Sequence, residues 1–446
     1  MSITQIGLSG LRASQAGLNM SARNTANLQT EGYSRQGVSL VADARGGVQV
    51  ASLVRYADSY RSQQLWGAQS REGQYSVQGS YYSELESVMG LGEGSVGSGI
   101  DAFFAALDEV STDPTSVALR QQVISSASSV ALRFNSLRDT LQGQLDTVAR
   151  QADSMATQIN SLSSTVADLN ARISQAAAIG ASTSELMDQR DLAVGQLASL
   201  ADVRVTTQAD GAYGISLKNG APLVVGARSA TVTATTGSDG GLEIAVQLGD
   251  ARYPLADGAI GGQLGGLDAY ARSVVQQKAS AATIAGELSD RVNAALTAGY
   301  GTDGQPGQAL FAFDAATGTM SINTGLTQAS LGLSAAADEP GNSDQLAALL
   351  DVRTQDVTLP GLGNVSLGDA YTLMVGRLGS ESSINQASLD TAATLRQQAQ
   401  LSLESVRGVS SEEEAVNISE LMQAYQANMK VISVATELFQ TTLDAL

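Results

Sequence analysis

The stretch from Ala415 to Leu446 constrains the fold most. Read at alternating steps of three and four it gives Ala415, Ile418, Met422, Tyr425, Met429, Ile432, Thr436, Phe439, Leu443 and Leu446, and every position but Thr436 is apolar. This is the a/d spacing of a helix that packs along another helix. No Pro or Gly interrupts it. Glu412, Glu413 and Glu414 stand just before it, where a helix N-terminus favours negative charge. At 1.5 Å per residue the stretch would be about 48 Å long. An apolar stripe of that length at a chain end cannot bury itself; it needs a partner.

The other chain end supplies a candidate. Leu8, Leu11, Leu18 and Ala22 fall on similar spacing, broken by Thr4, Gln15 and Thr25. Gly7, Gly10, Ala13, Ala16 and Gly17 fill much of the rest, and small residues let helix backbones approach closely while weakening a free helix. The charges of the two ends are complementary. Arg12, Arg23, Arg35, Arg45, Arg55, Arg61 and Arg71 dominate the first part, and Glu404, Glu412, Glu413, Glu414, Glu420, Glu437 and Asp444 the last. The two ends are therefore expected to pair, with the rest of the chain strung between them.

Bulk properties exclude several functions. The net charge of −19 argues against nucleic acid and anionic membrane as partners. Cysteine is absent, which removes disulfides, thiolate nucleophiles and thiolate metal sites. Histidine is absent too, and with it the usual general base and the commonest metal ligand. Aromatics make up only 4%, thin for a ligand pocket. No apolar run approaches membrane-spanning length, and no basic segment followed by an apolar run marks a cleaved signal. No cofactor, metal, catalytic residue or membrane insertion is expected. A carboxylate-pair glycosidase is the enzymatic alternative, but Asp and Glu lie singly or on solvated helix faces. A soluble binding module is the other alternative, and the two adhesive ends argue for assembly instead.

Between the ends the spacing predicts helix, then β, then helix. Ser2 to Leu28 reads as helix, broken at Asn24–Gln36, where Gly32 and Asn27 can take positive φ. Val38 to Leu53, with Gly46-Gly47, reads as a hairpin. Asp58 to Met89 is helical. Gly92-Glu-Gly-Ser-Val-Gly97 matches G-x-G-x-x-G but follows a helix, so it reads as a linker rather than a phosphate loop. Ile100–Val110 and a long run to Ala178, capped by Thr115 or Ser116, are helical, as is Glu185–Leu200. From Asp202, short β-prone runs separated by Asp210-Gly211, Asn219-Gly220 and Asp239-Gly-Gly241 predict antiparallel hairpins. Helix returns at 264–298, 344–353, 367–378 and 381–406, with 320–340 irregular. The expected fold is mainly α, a long helical-bundle or coiled-coil rod made from both chain ends, with an inserted small antiparallel β lobe. The expected domains are 1–40 with 408–446 for assembly, 41–201 with 263–407 as rod, and 202–262 as an independent, dispensable β lobe.

Several motifs, in this order, carry a resemblance. Asn24 to Gln36, with Asn27, Thr30 and Gly32-Tyr33-Ser34-Arg35-Gln36, resembles the N-terminal signature of bacterial flagellar axial proteins: rod, hook and hook-associated. The Tyr-Ser-Arg-Gln ending is most similar to the hook-associated protein 1 family. Leu186-Met-Asp-Gln-Arg-Asp191, Gly261-Gly262-Gln263-Leu264, Val292-Asn293 and Leu310-Phe311 are similar to interior points of that family. Glu413-Glu414-Ala415-Val416-Asn417 and Gln423–Asn428 resemble its C-terminal signature. Glu31 and Ser419–Met422 depart from the pattern, and the chain is short, with room for one β lobe where longer members have an outer domain.

The resemblance implies a non-enzymatic structural protein at the hook–filament junction. It also implies a ring of identical subunits beside hook protein and hook-associated protein 3. Export through the flagellar type III pathway, after a cytoplasmic chaperone has held the C-terminal region, belongs to the same expectation. The assembly residues it implies, together with the two stripes, are Leu8, Leu11, Leu18, Asn24, Asn27, Gly32, Tyr33, Ile418, Met422, Tyr425, Asn428, Met429, Ile432, Phe439 and Leu443. Another axial protein (hook, distal rod or hook-associated protein 3) is the structural alternative.

Overall fold

The computed structural model describes residues 2–44 and 46–444. Arg45 of the basic set and Leu446 of the terminal stripe lie outside the described residues. The first helix, Ile3–Ala26 (α1), starts at Ser2. The Ser2 side chain accepts from Gln5 N, and the Gln5 side chain accepts from Ser2 N, each at 3.3 Å. This reciprocal cap satisfies donors that a helix start leaves free. Gln36–Ala42 (β1) and Val48–Arg55 (β2) pair antiparallel, with Gly46 and Gly47 at φ 90° and 104° in the turn.

Ser59–Met89 (α2), Val96–Val110 (α3), Val117–Ala178 (α4) and Ser184–Leu200 (α5) then carry the chain outward. α4 is 62 residues long and is capped by Ser116, whose side chain accepts from Leu119 N. Seven strands follow: Val203–Thr207 (β3), Tyr213–Leu217 (β4), Pro222–Val225 (β5), Arg228–Ser229 (β6), Thr231–Thr236 (β7), Leu242–Leu248 (β8) and Ala251–Pro254 (β9). They form two antiparallel sheets, ordered β3-β4-β5-β6 and β7-β8-β9. Gly262–Ala298 (α6) brings the chain back. The hairpin of Phe311–Asp314 (β10) and Thr319–Ile322 (β11), then Asp344–Asp351 (α7), then the hairpin of Asp356–Leu359 (β12) and Gly363–Ser366 (β13) precede Ala370–Arg407 (α8) and Ser411–Asp444 (α9).

The fold is thus mainly helical with a β insert. Three details differ from the sequence reading. The helices expected at 367–378 and 381–406 are one: Gly376, in open surface, and Gly379, facing Glu86, both lie within α8 without breaking it. Residue 320 begins no irregular stretch; it lies inside the β10–β11 hairpin. Asn27 does not take positive φ, and among the described residues only glycines do.

One continuous apolar core runs from α2 to α8 and includes the β insert. Val205, Ile215, Leu217, Leu223, Val232, Ile244 and Val246 belong to the same cluster as Ile159 and Val166 of α4. The insert is therefore docked on the helical body, not hung from it. Its ends also meet, with Asp202 N donating to Ile260 O at 2.7 Å.

A single polar device ties helices to strands five times. An asparagine on a helix donates through Nδ2 to one strand carbonyl and accepts through Oδ1 from that same residue's N–H. The pairs are Asn24 with Gln36, Asn135 with Met320, Asn160 with Val232, Asn170 with Tyr213 and Asn293 with Phe311. Each satisfies two backbone groups, four times on an edge strand and, at Tyr213 of the inner strand β4, on a residue not paired with β5.

Candidate assembly interface

α1 and α9 lie antiparallel in close contact. A Cβ at Gly7 would stand 2.9 Å from Ile432 Cγ1, one at Gly10 would overlap the Asn428 amide, and one at Gly17 would stand 2.8 Å from Leu421 Cδ2. These glycines are holes that receive α9 side chains as knobs. Along α9 the buried or half-buried positions are Glu414, Ile418, Leu421, Tyr425, Asn428, Ile432 and Ala435, while the others described are exposed. The heptad is as expected, but half of it is shifted by one residue. Leu421 and Asn428, not Met422 and Met429, fit the α1 surface, because a small-residue stripe accepts a knob that a leucine stripe would have blocked. On α1 the buried line is Gly7, Ala13, Ser14, Met20, Ser21 and Asn24, not the leucines.

The expected residues fall into three groups. Ile418, Tyr425, Asn428 and Ile432 are half-buried along the seam, with Leu11 and Leu18 half-buried on α1. Asn24 and Tyr33 form its closed end, while Asn27 and Gly32 lie in the turn after α1, with Gly32 against Leu192 of α5. Asn27 N bonds Arg23 O at the end of α1, Gly32 turns at φ 79°, and Tyr33 donates to Asn24 Oδ1 at 2.9 Å. Asn24 Nδ2 also donates to Glu414 Oε1 at 3.1 Å. Glu414, which the stripe did not single out, is only 2% exposed, and its Oε2 has no partner.

The third group stays open: Leu8, Met422, Met429, Phe439 and Leu443 are 39–67% exposed. The register explains Phe439 and Leu443. Gly7 stands against Ile432, so α1 ends near Ala435 and the last turns of α9 project past it. Of the expected charge pairing between the ends, one ion pair forms among the described residues, Arg35 with Glu413 at 2.7 Å.

The hairpin joins this unit. Val48 N donates to the Ser9 hydroxyl at 3.1 Å, and Arg35 lies over the Tyr56 ring. At the end of β2, Arg55 reaches α5. Its Nε is 2.8 Å from Asp188 Oδ1 and its Nη2 is 2.7 Å from Asp191 Oδ2. Burial would lower the Arg55 pKa, but Asp191 and Asp188 outweigh it and hold it raised. From sequence, Asp188 and Asp191 belong to a motif and Arg55 to the basic set expected to face the acidic tail; the structure turns Arg55 to α5 instead. The signal was present: two acids three apart on a helix match one guanidinium fork. Among the described residues no group of three or more His, Cys, Asp or Glu is placed to hold a metal, and no helix is long and apolar enough to cross a membrane.

The family model described as "Flagellar hook-associated protein FlgK helical domain" matches residues 82–311, just over half of the chain. The chain belongs to this flagellar hook-associated protein family. It is a structural protein of the flagellar hook–filament junction, and the hook and distal-rod alternatives fall away.

A second model, the C-terminal region of flagellar basal body rod FlgEFG proteins, matches residues 404–445. Flagellar hook-associated protein 1 of Salmonella typhimurium is 24% identical over 98% of each chain. That of Bacillus subtilis is 24% identical over 98% of this chain and 96% of its own. The Salmonella alignment spans 547 positions against 446 residues here, so that relative carries at least about 100 residues this chain lacks. The fold is similar to the flagellar hook junction protein FlgK from Burkholderia pseudomallei (TM-score 0.64, 18% identity, 77% of this chain and all of that one).

Proposed function

We propose that the chain forms its junction layer by packing the uncovered surface of α9 against neighbouring copies. The observation that carries this reading is the exposure of eight large apolar side chains on one helix: Val416, Met422, Met429, Val431, Val434, Leu438, Phe439 and Leu443, each 41–67% exposed. α1 covers one side of α9 only, and contiguous exposed apolar surface marks an interaction site. The layer is a closed homo-oligomeric ring, with hook protein on one side and hook-associated protein 3 on the other. The assembly residues are those of the two helices and their closed end, from Leu8 to Tyr33 and from Ile418 to Leu443. The domains in this reading are the terminal pair, the helical rod and the β insert.

The same surface suits a cytoplasmic chaperone that shields the C-terminal region before export through the flagellar type III pathway to the cell exterior. The chain catalyses nothing and binds no cofactor; the lack of histidine and cysteine supports this. Electron microscopy of a deletion strain tests the reading. Filaments should be shed from intact hooks and be retained on complementation; filaments firmly attached to hooks in the deletion strain would overturn it.

A further inference from the structure

The joint between the terminal unit and the body has no apolar core. Among the described residues, none from α1, β1, β2 or α9 belongs to the continuous core. The chain crosses the joint at Tyr56–Asp58, between β2 and α2, and at Gly408–Ser410, between α8 and α9. What else fixes the joint is mostly polar: Arg35 N donates to Arg407 O at the end of α8, at 2.8 Å, and the side-chain ties converge on one turn of α5. Arg55 holds Asp188 and Asp191 together, with the side chains 10–12% exposed, and Ser34 N donates to Asp188 Oδ2 at 3.2 Å.

That turn is itself anchored, because Ala193, Val194, Leu197 and Ala198 follow in the core. From the same turn Arg190 reaches toward the β insert. Its Nη1 donates to Gly211 O at 2.7 Å, and its guanidinium lies 3.4 Å from the Tyr213 ring centroid. The loop at Asn27–Tyr33 borders a cleft of about 750 Å³ shared with the end of α8 and another of about 300 Å³ shared with α5.

We propose that Arg55, Asp188 and Asp191 are positioning residues that fix the angle between the terminal helix pair and the body, so that the ring and its outer mass turn as one piece. A guanidinium fork engaging two carboxylates restrains rotation where a point charge would not. Its burial limits screening by salt. The inference rests on the junction reading above.

The test is cryo-electron microscopy of isolated hook–filament junctions. Cells would produce the wild type, Arg55→Lys, or the neutral combination Arg55→Met with Asp188→Asn and Asp191→Asn. Removing Arg55 alone would bury two like charges, which the combination avoids. All three proteins should enter the junction with terminal helices resolved equally well. The body and β insert should be as sharp as the helices in the wild type, partly blurred in Arg55→Lys and smeared over a range of angles in the combination. A body equally sharp in the neutral combination overturns the proposal. So does failure of that combination to enter the junction, which would make the cluster part of the assembly surface. Absence of the wild type from the junction would instead sink the functional reading.

Discussion

At the scale of the residue, the molecule relies on asparagines that bond both backbone groups of a single strand residue. Asn160 satisfies both backbone groups of Val232, with Oδ1 accepting at 2.6 Å and Nδ2 donating at 2.9 Å. Asn160→Asp keeps the shape but turns a donor into an acceptor facing a carbonyl. It should cost about 1–3 kcal/mol, measured by denaturant unfolding, whereas substitution of exposed Asp153 should cost nothing measurable. Tyr371 offers a pH-dependent case. Its hydroxyl donates to Met89 O at 2.7 Å, and burial pushes its pKa up to about 12 from 10.0. The native state keeps this proton where the unfolded chain has lost it. The associated stability is therefore fully present below pH 10 and lost as pH rises toward 12, by about 2–3 kcal/mol in all. Tyr371→Phe should flatten that part of the alkaline stability profile while lowering stability at neutral pH by about 1 kcal/mol. A slope unchanged by the substitution would show that Tyr371 is not its source.

At the scale of the element, what was legible depended on periodicity. The terminal stripe predicted a helix and a helix partner, because a/d spacing is a property of the chain itself. Which residues face the partner was not legible. Met422 and Leu421 are both apolar neighbours, and the choice between them is made by glycine holes on a helix some 400 positions away in sequence. The sequence makes Glu414 a favourable charge at a helix start; in the structure it is a buried end-stop against Asn24. The β10–β11 and β12–β13 hairpins escaped because each strand is only four residues long, too short for alternation to register.

Glycines sort by the same geometry. Gly10→Val should separate α1 from α9, seen as faster amide exchange in both helices. Gly143→Ala, in α4 with open space around it, should stabilise the body by about 0.5–1 kcal/mol. If Gly10→Val left exchange unchanged, the helices would not be packed through that hole.

At the scale of the whole molecule, the order of helix, β and helix was legible from composition, because Asx-Gly turns and β-branched runs announce hairpins. The attachment of the β insert was not. Its apolar residues complete the core along α4, so the insert contributes to the packing of the body. Replacing residues 203–259 by a Gly/Ser linker should uncover Ile159 and Val166 and lower the thermal midpoint of the body. An unchanged midpoint would restore the picture of an independent lobe.

The central claim is that the surface of α9 left open by α1 is where the subunits join. Met429 is on that surface, 49% exposed, whereas Tyr425, one turn back, is half-buried in the internal seam. A carboxylate at 429 is tolerated in the free chain, and in the proposed ring it would be buried unpaired in every subunit. The most direct measurement is filament retention in cells that carry Met429→Asp with Phe439→Asp, beside Glu420→Ala with Glu437→Ala. Thermal unfolding of the purified proteins is the control. Unfolding should be unchanged in both, with filaments lost in the first and retained in the second. Normal filament retention with both carboxylates in place would contradict it.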